Sequence, residues 1–347
     1  MAESGGFLND MTRSMLNSMM EGVIAVGPDF KILFTNKAMA GFFELDESGA
    51  EGLTPIEAIR NPVLNNFIKN VFDSKRPQET EIEMVTPVES VFKARANIFD
   101  FGGGRNGVIT VLSDITEIRR LEKIRSEFAA NVSHELKTPL ASIKGYVETL
   151  LDGALDDKQN NVLFLKTING QVERLERLIN DIMELSKIES GKTSIIYSTL
   201  NVKTVLDSAL KVVEAPALKK KIALTVSTSD SSLVFKGDQN KIELAVVNLL
   251  DNAIKFTPAG GKIGLSAFLK EGRICIVVVD NGAGIQPILL PRIFERFYMI
   301  DKARSGEFGG TGLGLSIVKH VMEAHNGSVL VESEPGKGSK FTLSFPD

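Results

Sequence analysis

Histidine and cysteine are nearly missing from this chain, whose 347 residues include three of the first and one of the second. One cysteine cannot close a disulfide within the chain, which fits a reducing compartment. Cys275 lies in RICIVVVD, a run that reads as a buried strand, so a packed, reduced thiol is expected there. No apolar run reaches the roughly eighteen residues of a membrane span, and MAESGGFLNDM at the N-terminus lacks the basic and apolar regions of a secretory signal. The expectation is a cytoplasmic chain with no membrane segment of its own, either soluble as it stands or the cytoplasmic portion of a membrane-anchored protein. A formal charge of −4 offers no general field for nucleic acid, and none is expected as a partner.

What is present is enough length for two or three domains, each with a core. MTRSMLNSMM, Met11 to Met20, reads as a short helix. The apolar runs Val23 to Val26 and Ile32 to Phe34, separated by Gly27, Pro28 and Asp29, read as a β-hairpin. Lys37 to Phe72 reads as mostly helical with breaks at Pro55 and Pro62. Strands are expected again at Thr80 to Val85, Val91 to Phe99 and Gly107 to Ser113, with Gly102, Gly103 and Gly104 turning between the last two. Ile115 to Ser126 is charged and free of breakers. The apolar series Ile118, Leu121, Phe128 and Val132 passes through it, so one long helix is expected to lead into the next region.

That region holds FAANVSHELKTPLASIKGYVETLL, Phe128 to Leu151. A neutral imidazole is a good nucleophile near neutral pH, and a carboxylate bonded to one ring N–H leaves the other nitrogen free to attack. His134 beside Glu135 is therefore a candidate nucleophile and base, although such a pair on a helix is more often an ordinary surface feature. Pro139, inside the helical pattern, favours a bend one turn past the histidine. Asp152, Gly153 and Ala154 interrupt the pattern, and a second helix is expected from about Asp157 to Glu189. Its apolar positions Leu165, Ile168, Val172, Leu175, Ile179 and Ile182 alternate steps of three and four, the seam of a helical bundle. Two such helices bury little alone, whereas two copies of the hairpin make a four-helix bundle, so a homodimer is expected. Gly191-Lys192-Thr193 imitates the end of a P-loop, but Ser186 stands where that motif needs glycine, and a helix C-cap is the better reading.

From Ser194 onward the pattern is mixed α/β with clustered glycines. Glu243 to Phe256 has helical spacing and brings Asn248, Asn252 and Lys255 within two turns of one face. Amide oxygens suit Mg²⁺ and an ammonium suits phosphate. Asp280-Asn281-Gly282-Ala283-Gly284-Ile285 follows the strand Ile274 to Val279, where a carboxylate can accept from an exocyclic amine. Ile293 to Tyr298 is aromatic, and Asp301 to Phe308 reads as a mobile lid. Gly309 to Leu315 then runs into a helix, Ser316 to Glu323, so unhindered N–H groups and a helix N-terminus can meet phosphate together.

Ser133-His134-Glu135-Leu136-Lys137-Thr138-Pro139-Leu140 closely resembles the phosphoacceptor motif of bacterial two-component sensor histidine kinases. The glycine and asparagine boxes match, in order and spacing, those of the GHKL ATPase superfamily, and the resemblance covers essentially all of Phe128 to Asp347. Residues 1–113 resemble a PAS sensor domain in the order of their elements and in Asp114-Ile115-Thr116, which resembles the closing triplet of that domain. Whether such a domain holds a ligand or an empty core stays open. The overall arrangement is similar to phosphate-regulon sensor kinases.

The resemblance implies a multidomain α+β chain. It comprises a PAS-like α/β sensor (1–113), a helical signalling linker (114–127), a two-helix hairpin for dimerisation and phosphotransfer (128–190) and an α/β sandwich that binds ATP (191–347). It further implies His134 as the phosphorylated residue, Glu135 as base and Thr138 as an aid to dephosphorylation. Asn252 is implied as the Mg²⁺ ligand, Lys255 and Arg304 at the phosphates and Asp280 at adenine. Asn248, Gly282, Gly284, Thr311, Gly312 and Gly314 are implied around the nucleotide. Hydrolysing relatives carry a water-activating glutamate four residues before the metal-binding Asn; Asn248 stands there here, so ATP is expected to be held rather than hydrolysed efficiently. The implied partner is the receiver domain of a response regulator, docked near Ile143, Tyr146 and Val147. Two rival readings are a chain that acts chiefly as a phosphatase of that regulator and a dimerisation scaffold with a vestigial nucleotide site.

Overall fold

The computed structural model describes residues 11–45, 49–84, 89–157, 159–189, 195–300 and 310–346. The chain divides into two compact units, Met1–Glu127 and Phe128–Asp347.

In the first unit, residues 11–18 are helical. Strands β1 (Gly22–Val26) and β2 (Ile32–Thr35) form the expected antiparallel hairpin. Helices α1 (Lys37–Phe43), α2 (Pro55–Ile59) and α3 (Pro62–Ser74) follow, each begun by a local device. Asn36 caps α1 by accepting from the Met39 N–H, and Asn61 caps α3 ahead of Pro62. Thr54 and Glu57 make a capping box ahead of Pro55. Asn36 is buried and also accepts from Val23 N–H while donating to Leu16 O and Glu21 O, so one amide pins the lead-in, β1 and α1. Strands β3 (Gln78–Met84), β4 (Ser90–Gly102) and β5 (Arg105–Asp114) complete an antiparallel sheet in the order β2-β1-β5-β4-β3. Its core gathers Ile24, Val26, Ile32, Leu64, Ile68, Val71, Phe92 and Leu112 between sheet and helices.

Helix α4 spans Thr116–Thr149 without a break, with Pro139 inside it and buried. The interruption at Asp152 and Gly153 is real: Gly153 has φ 114°, which reverses the chain before α5 (Asn161–Glu189). The second helix starts four residues later than the sequence suggests, because Asp157 accepts from Gln159 and Asn160 N–H groups in a turn ahead of it.

The remainder of the second unit holds β6 (Ser198–Asn201), α6 (Val202–Lys219), β7 (Ala223–Thr228), β8 (Val234–Gly237), α7 (Gln239–Phe256), β9 (Lys262–Lys270), β10 (Arg273–Asp280), α8 (Gly314–Ala324), β11 (Ser328–Glu334) and β12 (Gly338–Phe345). The main sheet runs β11-β12-β10-β9-β7, antiparallel except for the β7–β9 pair, and β6 pairs with β8. Helices α6, α7 and α8 bury Val205, Leu206, Val246, Leu249, Ile317 and Val321 in the core they share with the sheet. Cys275 is free and buried on β10, as expected. At the start of α7 the Asp238 side chain caps Lys241 N–H, and its own N–H is taken by Nε2 of buried His325 at 3.0 Å. His325 Nδ1 lies 2.7 Å from Val321 O, so this imidazole is a structural joint between α7 and α8. No helix among the described residues is long and apolar enough to cross a membrane.

Candidate nucleotide and phosphoacceptor site

The central strand β10 delivers Asp280 to its C-terminal end, where the carboxylate is 7 % exposed. Gly282 N–H (2.8 Å) and Ser339 N–H (3.3 Å) both donate to its Oδ1. Among the described residues no bond is recorded to Oδ2, which leaves that oxygen for a donor from outside. Burial pushes the carboxyl above the usual aspartate range, against the lowering effect of the two N–H groups. A buried acceptor with one open oxygen beside a glycine turn suits an exocyclic amine.

The glycines around it are there for space. A methyl on Gly282 would come 2.6 Å from Phe256 O, and one on Gly284, at φ 67°, would come 2.0 Å from Glu334 O. On the second loop, Gly312 lies against the Phe297 backbone, and a methyl on Gly314 would meet Asn248 Oδ1 at 2.7 Å. Asn248 donates to Leu244 O, so it packs under the loop rather than reaching outward. Asn252 and Lys255 sit half-buried on the same helix, and Lys255 Nζ is 2.5 Å from Asp251. These features meet the steric and chemical needs of a nucleoside triphosphate: an orphan acceptor for the base, backbone cleared of side chains for phosphate, a cation and an amide on α7. Arg304 and the expected lid, Asp301 to Phe308, lie outside the described residues, as do Gly309 and the Gly191-Lys192-Thr193 imitation.

On the hairpin, His134 is exposed and lines a cleft of about 320 Å³ with Asn131, Glu135 and Phe297. Phe297 belongs to the nucleotide-binding lobe. Its N–H donates to Gly312 O at 2.9 Å, and its ring lies 5.7 Å from Phe128 at the start of the hairpin. Glu135 pairs with Arg174 of α5 at 3.2 Å, and no bond from the His134 ring is recorded among the described residues. Thr138 is exposed one turn on, its hydroxyl donating to His134 O at 3.1 Å.

Two contacts absent from the sequence reading bring lobe and hairpin together. Thr311 Oγ1 donates to Asp181 Oδ2 at 2.7 Å, and Lys241 of α7 reaches Glu184 at 2.5 Å. Burial raises the Asp181 pKa above its ordinary value, against the Thr311 bond and the nearby Lys255. The signal was present in α5: Arg174, Leu178, Asp181 and Leu185 follow steps of four, three and four, beside the seam chosen from the sequence. Leu178 and Leu185 are buried in the lobe's core, whereas Leu165, Val172 and Ile179 of that seam are exposed on the single chain.

Together these elements define a class: a helical hairpin bearing a histidine, followed by an α/β lobe whose glycine loops can cradle a nucleotide. Residues 124–191 match the His Kinase A (phospho-acceptor) domain, and residues 237–347 match the histidine kinase-, DNA gyrase B- and HSP90-like ATPase family. The chain is 33 % identical over 339 residues to the phosphate regulon sensor protein PhoR of Pseudomonas aeruginosa, covering 97 % of this chain and 74 % of that protein. It is 30 % identical to the sensor histidine kinase WalK of Bacillus subtilis, covering 96 % of this chain and 54 % of WalK. Among solved structures, the histidine kinase AdeS of Acinetobacter baumannii aligns at a TM-score of 0.51 and 26 % identity, over 61 % of this chain and 97 % of that one. The histidine kinase ThkA, solved with the response regulator protein TrrA, shares the fold at a TM-score of 0.53 and 23 % identity, over 96 % and 97 % of the two chains. The chain belongs to the two-component sensor histidine kinases.

Proposed function

We propose that the protein phosphorylates itself on His134 from ATP and passes the phosphoryl group to an aspartate of a response regulator. The observation that carries this reading is the shared cleft: an exposed imidazole on the hairpin and Phe297, bonded to the glycine loop of the lobe, line one space. Bound ATP supplies an electrophilic γ-phosphorus, and Mg²⁺ offsets charge on the phosphates. Asp280 Oδ2 accepts from the base, and Gly282, Gly284, Gly312 and Gly314 keep backbone clear for it. Asn252 would hold the metal ion and Lys255 would offset charge on the phosphates, as would Arg304, which lies outside the described residues. One ring nitrogen of His134 attacks while Glu135 accepts from the other. A homodimer is supported by the open apolar positions Leu165, Val172, Ile179 and Met183 along α5, which a second hairpin would cover. The N-terminal unit serves as a PAS-like sensor, a role supported by its strand order and its join to α4.

A second activity, dephosphorylation of the regulator, is supported by Thr138, whose hydroxyl is exposed one turn from His134 and able to orient water. The decisive measurement is ³²P incorporation from ATP. His134→Gln is expected to abolish it, and acid-labile label persisting in that variant would overturn the assignment.

A further inference from the structure

The pair formed by Glu135 and Arg174 joins the two helices of the hairpin at the edge of the His134 cleft. Arg174 Nη2 donates to Glu135 Oε2 at 3.2 Å, and the side chains are 18 % and 24 % exposed. A plain surface pair on the same hairpin, Lys144 with Glu148 at 3.7 Å, is 76 % and 60 % exposed. Pairs of the second kind contribute almost nothing, whereas a half-buried guanidinium with fixed donors holds a carboxylate in one rotamer. Neighbours on a helix point about 100° apart, so Glu135 does not meet the His134 ring by local geometry alone. Its rotamer is set from α5. The contact uses one carboxylate oxygen; no bond to Oε1 is recorded among the described residues, and Glu135 lines the cleft beside the imidazole.

We propose that Arg174 is a positioning residue that holds Glu135 by Oε2 so that Oε1 receives the ring N–H of His134 during phosphorylation. The inference rests on the kinase reading and names the group that orders its base. In the step concerned, one ring nitrogen of His134 forms a bond to the γ-phosphorus as the bond from that phosphorus to the bridging oxygen breaks. The leaving ADP keeps the electron pair, and the proton on the other ring nitrogen is shared with Glu135. An arginine fits the task because its charge does not titrate near neutral pH and its planar fork constrains direction, which an ammonium does not.

The test uses the full chain with ¹⁵N-labelled histidine and two variants, Arg174→Gln and Arg174→Lys. The first readout is the tautomer ratio of His134 by NMR with a non-hydrolysable ATP analogue bound; the second is kcat and KM for ATP in ³²P incorporation. Arg174→Gln is expected to move the tautomer ratio toward that of free imidazole and to lower kcat about tenfold with KM within about twofold. Should Arg174→Gln loosen the hairpin, Arg174→Lys decides. With charge kept and the fork lost, it is expected to shift the ratio partway and lower kcat a few-fold at unchanged KM. An unmoved tautomer ratio in both variants overturns the assignment whatever the rate does, because a role confined to helix packing would leave the imidazole unaffected. A wild-type chain that takes up no label overturns the kinase reading itself, whereas a labelled wild type with an unmoved tautomer ratio in both variants overturns only the role of Arg174.

Discussion

Each unit of the chain builds a five-stranded sheet with helices packed on it, but the two treat their strand ends differently. The first sheet is antiparallel throughout, and its β4–β5 turn carries Gly103 and Gly104 at φ 64° and 76° with open space around them. Those glycines satisfy backbone conformation alone. In the second sheet, Gly284 and Gly338 combine positive φ with backbone oxygens that would lie 2.0 and 1.9 Å from an added methyl. There the missing side chain makes room for two segments of backbone to meet beside Asp280. The buried polar groups differ too. Thr35 and Thr110 of the first sheet, both in register with Ile24, hold hydroxyls with no partner among the described residues, whereas Asp280 of the second is bonded by two N–H groups. Glycines of positive φ pressed onto backbone, and a buried carboxylate with one oxygen held and the other left open, set this end of the second sheet apart from the first.

The largest effect that could break this comparison is expected from Gly284→Ala. Positive φ and the clash with Glu334 O together should cost the second unit more than about 3 kcal/mol, against about 1 kcal/mol for Gly104→Ala in the first, where φ alone is strained. Urea unfolding followed by hydrogen exchange reads each unit separately. Equal costs would show that the crowding beside Asp280 does not matter.

A smaller effect of opposite sign is expected from Thr110→Val. The hydroxyl is buried with no partner among the described residues, so an apolar group of the same shape should stabilise the first unit by about 1 kcal/mol. A raised melting temperature checks this, and a loss of stability would mean that the hydroxyl has an unrecognised role in that core.

The smallest concerns Asp181, whose folded pKa burial raises while Thr311 and Lys255 oppose. A raised carboxyl pKa means that the folded state gains protons first. The wild type should therefore gain stability relative to Asp181→Asn as pH falls through the raised value, the gain being complete below the unfolded value of about 4. The difference is read as wild type minus variant across a pH series of denaturation curves. A difference that grows with rising pH would reverse the sign and refute burial as the dominant cause.

Much of the architecture was legible beforehand because it follows from local rules. The hairpin at Val23 to Val26, the three short helices broken at Pro55 and Pro62, the uninterrupted helix through Phe128 and the break at Gly153 all depend on period, breakers and caps within a few residues. Asp280 at a strand end and the glycines after it were legible for the same reason. Asn248, expected around the nucleotide, sits beneath Gly314. Arg174 and Asp181 were not legible. They sit one stripe away from an apolar seam that satisfied every periodicity rule, and their partners Glu135 and Thr311 are 39 and 130 residues distant.

The order of elements and the composition of the glycine loops were settled by the amino acids in their own neighbourhoods, because helix and strand periods and turn chemistry act over one or two turns of chain. Which oxygen of Asp280 stays open, which side chain holds Glu135 and which loop residue meets Asp181 were decided by tertiary packing. Direction, burial and hydrogen-bond competition among groups far apart in sequence are set once cores close around them, and no local pattern encodes that.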